Sequence, residues 1–147
     1  MKCAELIETE TLPAVARRDL IRMPNGMLGF EQIKDYVLTS NPEEKPFAWL
    51  QVQGNIGLAF VVIDPFVAMA GYQPDIPQTD VDFLNLKQPD DALLLGIVTI
   101  HDAQRATVNL KGPVVINRHT YVGKQVIIAN ANSYSVTHPL PVADLGY

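Results

Sequence analysis

Apolar and polar residues alternate in short runs along this chain, and Gly, Pro, Asn or Asp closes most of them. That rhythm predicts β-strands joined by turns. The expected strands are Ala4–Thr9, Asp19–Met23, Tyr36–Ser40, Phe47–Gln53, Leu58–Ile63, Leu93–Ile100, Ala106–Leu110, Val114–Asn117 and Tyr121–Ala129. Leu93–Ile100 is almost wholly apolar, which predicts a central strand buried on both faces. Pro24-Asn25-Gly26 offers the positive φ of a tight turn. Gly54-Asn55-Ile56-Gly57 reads as a hairpin loop between two of the strands. Pro113 has no N–H to give to a ladder, so Lys111-Gly112-Pro113 predicts a break or an edge. Gly123-Lys124-Gln125 reads as an interruption of the last aliphatic run.

Two segments depart from the strand period. Pro77–Leu86 predicts a helix, with Pro77 in its first turn, Asp80 and Asp82 near its positive end, and Val81, Leu84 and Phe83 toward a core. A shorter helical turn is expected over Phe30–Asp35. No repeat, low-complexity stretch or linker divides residues 1–147, which read as a single β domain. The fold class is mainly β: a small antiparallel β-barrel, or a barrel-like sandwich, with one or two short helices.

Composition narrows the function. With 147 residues, 48% hydrophobic and 18% charged, the chain can bury a sizeable core and is not of disordered type. A net charge of −5 argues against direct nucleic-acid binding, which needs a basic face, and suits a basic protein partner. Acids interrupt the residues after Met1, so no signal core is expected, and no apolar run approaches the roughly 20 residues of a membrane helix. The single cysteine, Cys3, cannot close an intramolecular disulfide. The expected setting is the cytoplasm, with no membrane contact.

Catalytic chemistry finds no frame. No Gly-x-Ser-x-Gly elbow surrounds a serine. His101 beside Asp102 reads as a polar residue entering a turn, and His119 as a hairpin-loop residue. The three histidines are widely spaced, with none of the clustering that a metal site shows. Cys3 lies near a terminus that is expected to fray, a poor place to hold a nucleophile. Glu43-Glu44 and Asp90-Asp91 read as solvated loop charges. Gly26-Met27-Leu28-Gly29 lacks the Lys and Ser/Thr of a phosphate loop. Neither a cofactor nor enzymatic activity is expected.

Three stretches are more specific than a generic β domain requires. They are Pro24-Asn25-Gly26-Met27-Leu28-Gly29-Phe30-Glu31; Pro46-Phe47-Ala48-Trp49-Leu50-Gln51 with Leu58 to Phe66; and Thr107 to Asn117 with Gly123 to Ile127 and Tyr134 to Leu140. In this order and spacing, from about Leu20 to Leu140, they resemble the bacterial flagellar assembly factor FliW family. Thr137 departs from the family's habit of a basic residue before the histidine.

The resemblance implies a non-enzymatic regulator that acts as a monomer. Its partners would be flagellin and CsrA, a translational repressor of flagellin synthesis. Flagellin would occupy the protein until export removes it; the freed protein would then antagonise CsrA allosterically. Apolar matching positions such as Leu50, Phe60, Val62 and Ile116 alternate like core residues. Partner contacts are expected at Gln51, Asn55, Asp64, Phe66, Tyr72 and His138, most of them at turns, where recognition concentrates. The alternative is a stand-alone β-fold chaperone or interaction module with another client.

Overall fold

The computed structural model describes residues 1–3, 17–54 and 57–140. The strand expected over Ala4–Thr9 and the hairpin-loop residues Asn55 and Ile56 lie outside them. Eight strands form one antiparallel sheet: β1 Arg17–Arg22, β2 Asp35–Ser40, β3 Phe47–Val52, β4 Ala59–Ile63, β5 Ala92–Asp102, β6 Arg105–Asn117, β7 Gly123–Gln125 and β8 His138–Leu140. Strands β1 to β7 pair in chain order, and β8 adds to β6. The sheet curls into a half-barrel whose ends meet where the Arg22 N–H donates to the Tyr121 carbonyl at 3.0 Å.

Burial shows which face is which. One buried cluster draws side chains from β1 to β6, including Ile21, Tyr36, Leu50, Val62, Leu95 and Ile116. Only the concave side of a curled sheet brings six strands together, so this is the interior. Alternate residues of β4 to β6, among them Ile63, Val98, Val108 and Val115, point to the convex side. There they meet Phe66, Tyr72, Ile76, Val81 and Leu84 from the segment between β4 and β5, and Val126, Ile128 and Leu140 from the C-terminal part. Strand β5 serves both layers through Ala92–Gly96, whereas Thr99–Asp102 are exposed. The expectation of burial on both faces therefore holds for its first half only.

The segment between β4 and β5 carries both short helices, α1 Pro65–Ala68 and α2 Gln78–Phe83. Helix α2 ends in a Schellman motif. Asn85 takes φ 57°, the Asn85 N–H donates to Asp82 O, and the Leu86 N–H donates to Val81 O. Val81 and Leu84 are buried as expected. Phe83 turns outward, and its ring lies 5.3 Å from the Lys124 ammonium. Lys124 also pairs with the buried Asp80, which fastens α2 to β7.

Four expectations fail here. No helix forms over Phe30–Asp35, because Asp35 joins β2 opposite Arg22 and the residues before it are turns. Gly123-Lys124-Gln125 is itself strand β7. Cys3 is buried, with its N–H on Pro74 O at 3.1 Å. Asp91 is also buried, not solvated: it accepts from Lys87 N and Gln88 N, and its other oxygen meets His119 Nε2 at 3.0 Å.

Pro113 sits inside a continuous strand. Pairing between β5 and β6 runs from Ala92 to Leu95 and resumes at Ile97 opposite Asn109, so Leu110–Pro113 bulge out opposite Gly96. Their polar backbone is nevertheless satisfied. Leu110 N–H donates to Ser135 O, while Lys111 and Gly112 both donate to the Asn109 carboxamide; Pro113 has no N–H. Tyr72 OH donates to Leu110 O, Ile128 N to Lys111 O, Gln125 Nε2 to Gly112 O and Val126 N to Pro113 O. The predicted break is thus a bulge in the ladder, not an end of the strand.

The bulge leaves no room at Gly96, where an added Cβ would stand 2.5 Å from Val108 Cγ2. Gly96→Ala is expected to destabilise the fold by about 1–3 kcal/mol in urea titration through overpacking. Tyr72→Phe should cost about 1–3 kcal/mol by the same assay, because it strands the buried Leu110 carbonyl. For Asp91, the Lys87 N–H, the His119 ring and the Gln88 N–H hold the carboxyl below its usual range. A carboxylate lowered on folding stabilises above its unfolded pKa, about 3.9, and that contribution fades as pH falls through the folded value. Wild type should therefore exceed Asp91→Asn most at neutral pH, with the urea midpoints converging below about pH 4.

Candidate functional site

The side chains singled out in the sequence fall into two groups. Gln51 stands alone on β3, half-buried between Val37 of β2 and Ala59 of β4. Gln51 lies at the end of the β3–β4 ladder away from Asp64, and β3 is three positions from β6, on which the strand of His138 pairs. Asp64, Phe66, Tyr72 and His138 all belong to the convex side. Asp64 caps α1 by accepting the Phe66 N–H at 2.8 Å, and Pro65 at the first helical position suits that start. His138 opens β8 opposite Val108 and is half-buried.

Phe66 and Tyr72, expected among the turn positions, are set inward. Both are core residues. The ring of Tyr72 lies 5.6 Å from Phe66 and 4.8 Å edge-on from Tyr134, whose hydroxyl accepts the Gln73 N–H. Burial raises the Tyr72 phenol above its ordinary range, which keeps it a neutral donor to Leu110 O. These rings hold the shape of the convex layer. Thr137 folds back locally, with its N–H on Ser135 Oγ at 2.9 Å.

The sequence missed a second kind of surface residue. Leu28 and Ile127 are large, apolar and more than half exposed. They flank the Gln125 amide, whose oxygen accepts the Leu28 N–H while its nitrogen reaches the Gly112 carbonyl beside Ile127. Leu28 between two turn glycines was the available signal; Ile127 was hidden in a run that reads as core. Arg118 was missed as well. It lies half-buried beyond β6, its charge disfavoured by burial and restored in part by Asp90 and Asp64.

These groups do not converge on a reacting centre. His101 meets the Thr107 hydroxyl at 2.9 Å, and His119 meets Asp91. Burial pushes the Cys3 thiol above its ordinary value, away from the reactive thiolate. Among the described residues no three His, Cys, Asp or Glu side chains are placed to hold a metal ion, and no helix is long and apolar enough to cross a membrane.

Several known proteins resemble this chain over most of its length. The family model for the FliW protein matches residues 8–140. A flagellar assembly factor FliW of Leptospira interrogans is 38% identical over 136 residues, covering 88% of this chain and 90% of that protein. One from Moorella thermoacetica is 38% identical over 124 residues, covering 83% and 78%. A crystal structure of a flagellar assembly factor FliW superposes with a TM-score of 0.73 at 32% identity, over 94% of this chain and 95% of that one. Fold, length and sequence thus agree from the first strand to the last, and the chain belongs to the FliW family.

Proposed function

We propose that the protein is a non-enzymatic, cytoplasmic flagellar assembly factor, acting as a monomer, that binds flagellin and, once released from it, binds and allosterically antagonises CsrA. The observation that carries this reading is its likeness to flagellar assembly factors along nearly their whole length. Flagellin synthesis would then follow flagellin export by mass action: each partner excludes the other, so the free concentration of one sets the occupancy of the other. Gln51, Asn55, Asp64 and His138 are the proposed contacts. Phe66 and Tyr72 support them by fixing the convex layer. The net charge of −5 favours encounter with a basic repressor and disfavours direct nucleic-acid contact.

The experiment is calorimetric titration with CsrA, alone and after saturation with flagellin of the same organism. The expected result is binding that flagellin abolishes, with an association rate that falls as ionic strength rises. Failure to bind either protein would overturn the assignment in favour of a β-fold module with another client. Gln51→Ala and His138→Ala should each weaken binding of at least one partner by about fivefold or more, without moving the urea midpoint.

A further inference from the structure

The connection between β1 and β2 is built differently from the other turns. Its neck is closed by Met23 N–H on Lys34 O at 2.7 Å and by the register pair Arg22 with Asp35. Between those points the chain bonds to itself: Gly26 N to Met23 O, Phe30 N to Met27 O, Ile33 N to Phe30 O, and Gly29 N to Glu31 Oε2. It also packs on itself, since a Cβ on Gly26 would lie 2.5 Å from Phe30 O. A compact loop with joined ends is a unit able to move as one body about its neck.

What seats this unit on the barrel is modest. Apart from bonds to the neck residues Met23 and Lys34, the one hydrogen bond among the described residues from residues 24–33 to the rest of the protein is Leu28 N–H on Gln125 Oε1, at 3.0 Å. The other attachment is apolar. Met27 is fully buried in the interior cluster, and Phe30 stands edge-on to Phe60 at 5.2 Å. The ring of Tyr36 lies 6.3 Å from Phe60 and belongs to the same interior cluster as Met27. Tyr36 is fully buried, and among the described residues its hydroxyl has no hydrogen-bond partner. A buried hydroxyl without a partner opposes the closed arrangement, because water would satisfy it on opening.

We infer that residues 24–33 form a lid on the barrel end, with Met27 as its plug and Gln125 as its latch, which swings about the Met23–Lys34 neck as one body and exposes the interior beside Tyr36. Closed, the lid covers the apolar interior with an internally satisfied loop. Open, it gives water access to the Tyr36 hydroxyl and bares the Met27 seat. The device is independent of the identity of any partner.

The test is methyl relaxation dispersion on protein labelled at methionine, with amide dispersion over the loop. The expected result is one shared exchange process for the Met27 methyl and the Leu28 amide, while Met69 on the convex side stays silent. Gln125→Ala should raise the open population about two- to tenfold, the weight of one hydrogen bond. Tyr36→Phe should lower it, because the closed state no longer buries an unpaired hydroxyl. Urea midpoints distinguish these shifts from global destabilisation. A Met27 methyl without exchange in both wild type and Gln125→Ala would overturn the lid, and so would Tyr36→Phe leaving the open population unchanged.

Discussion

The bulge of β6 at Leu110–Pro113 is the constraint on which the convex half of the molecule depends. A central strand cannot leave backbone groups unpaired in a dry layer, where each costs about 1–3 kcal/mol. These four residues have lost their β5 partners, so other segments must supply replacements. Tyr72 comes from the α1–α2 segment, Gln125 and Val126 from β7 and its exit, Ile128 from the run beyond, and Ser135 from the approach to β8. Satisfying one bulge thus fixes the path of most of the chain outside the sheet. Pro113 fits because it removes a donor where no acceptor remains.

That dependence explains what local sequence could and could not show. Strand β2, and β3 beyond Phe47, were legible because burial alternates along them, which leaves a period of two in the residues themselves. Helix α2 was legible from Pro77 and its acids. Strand β7 was not: Gly123-Lys124-Gln125 looks like a turn, yet Gly123 permits close approach to Ile116, Lys124 pairs with Asp80 and Gln125 serves the bulge. Their partners are distant in sequence, so no local pattern encodes them. Asp91 looked solvated for the same reason, since His119 reaches it from 28 residues away. Of the candidate contacts, Asp64 was readable as a cap from Asp-Pro, whereas the burial of Phe66 and Tyr72 follows from the bulge.

Electrostatics plays a positional role here. The two buried acids, Asp80 and Asp91, sit at either end of the segment that carries α2 and leads into β5, each matched by a group on or just before β7. A buried carboxylate that has found its donors is costly to separate from them, so such pairs select one packing over its neighbours more than they add net stability. The exposed Asp102–Arg105 pair at the β5–β6 tip has no such leverage, because solvent screens it.

A surface of 7978 Å² bears on how two partners could exclude each other. A standard interface takes about 800 Å² from each partner, so two of them would occupy roughly a fifth of this surface. Lack of area therefore cannot enforce exclusion. Either the two footprints share residues, or binding at one face changes the other. A sheet whose concave and convex layers share β4 to β6 and one bulge offers few independent ways to deform. Away from the proposed lid, such a sheet favours shared residues, because coupling at a distance requires an element with two arrangements. On that argument the shared residues of the two proposed partners would belong on the convex layer, where Asp64 and His138 are proposed contacts.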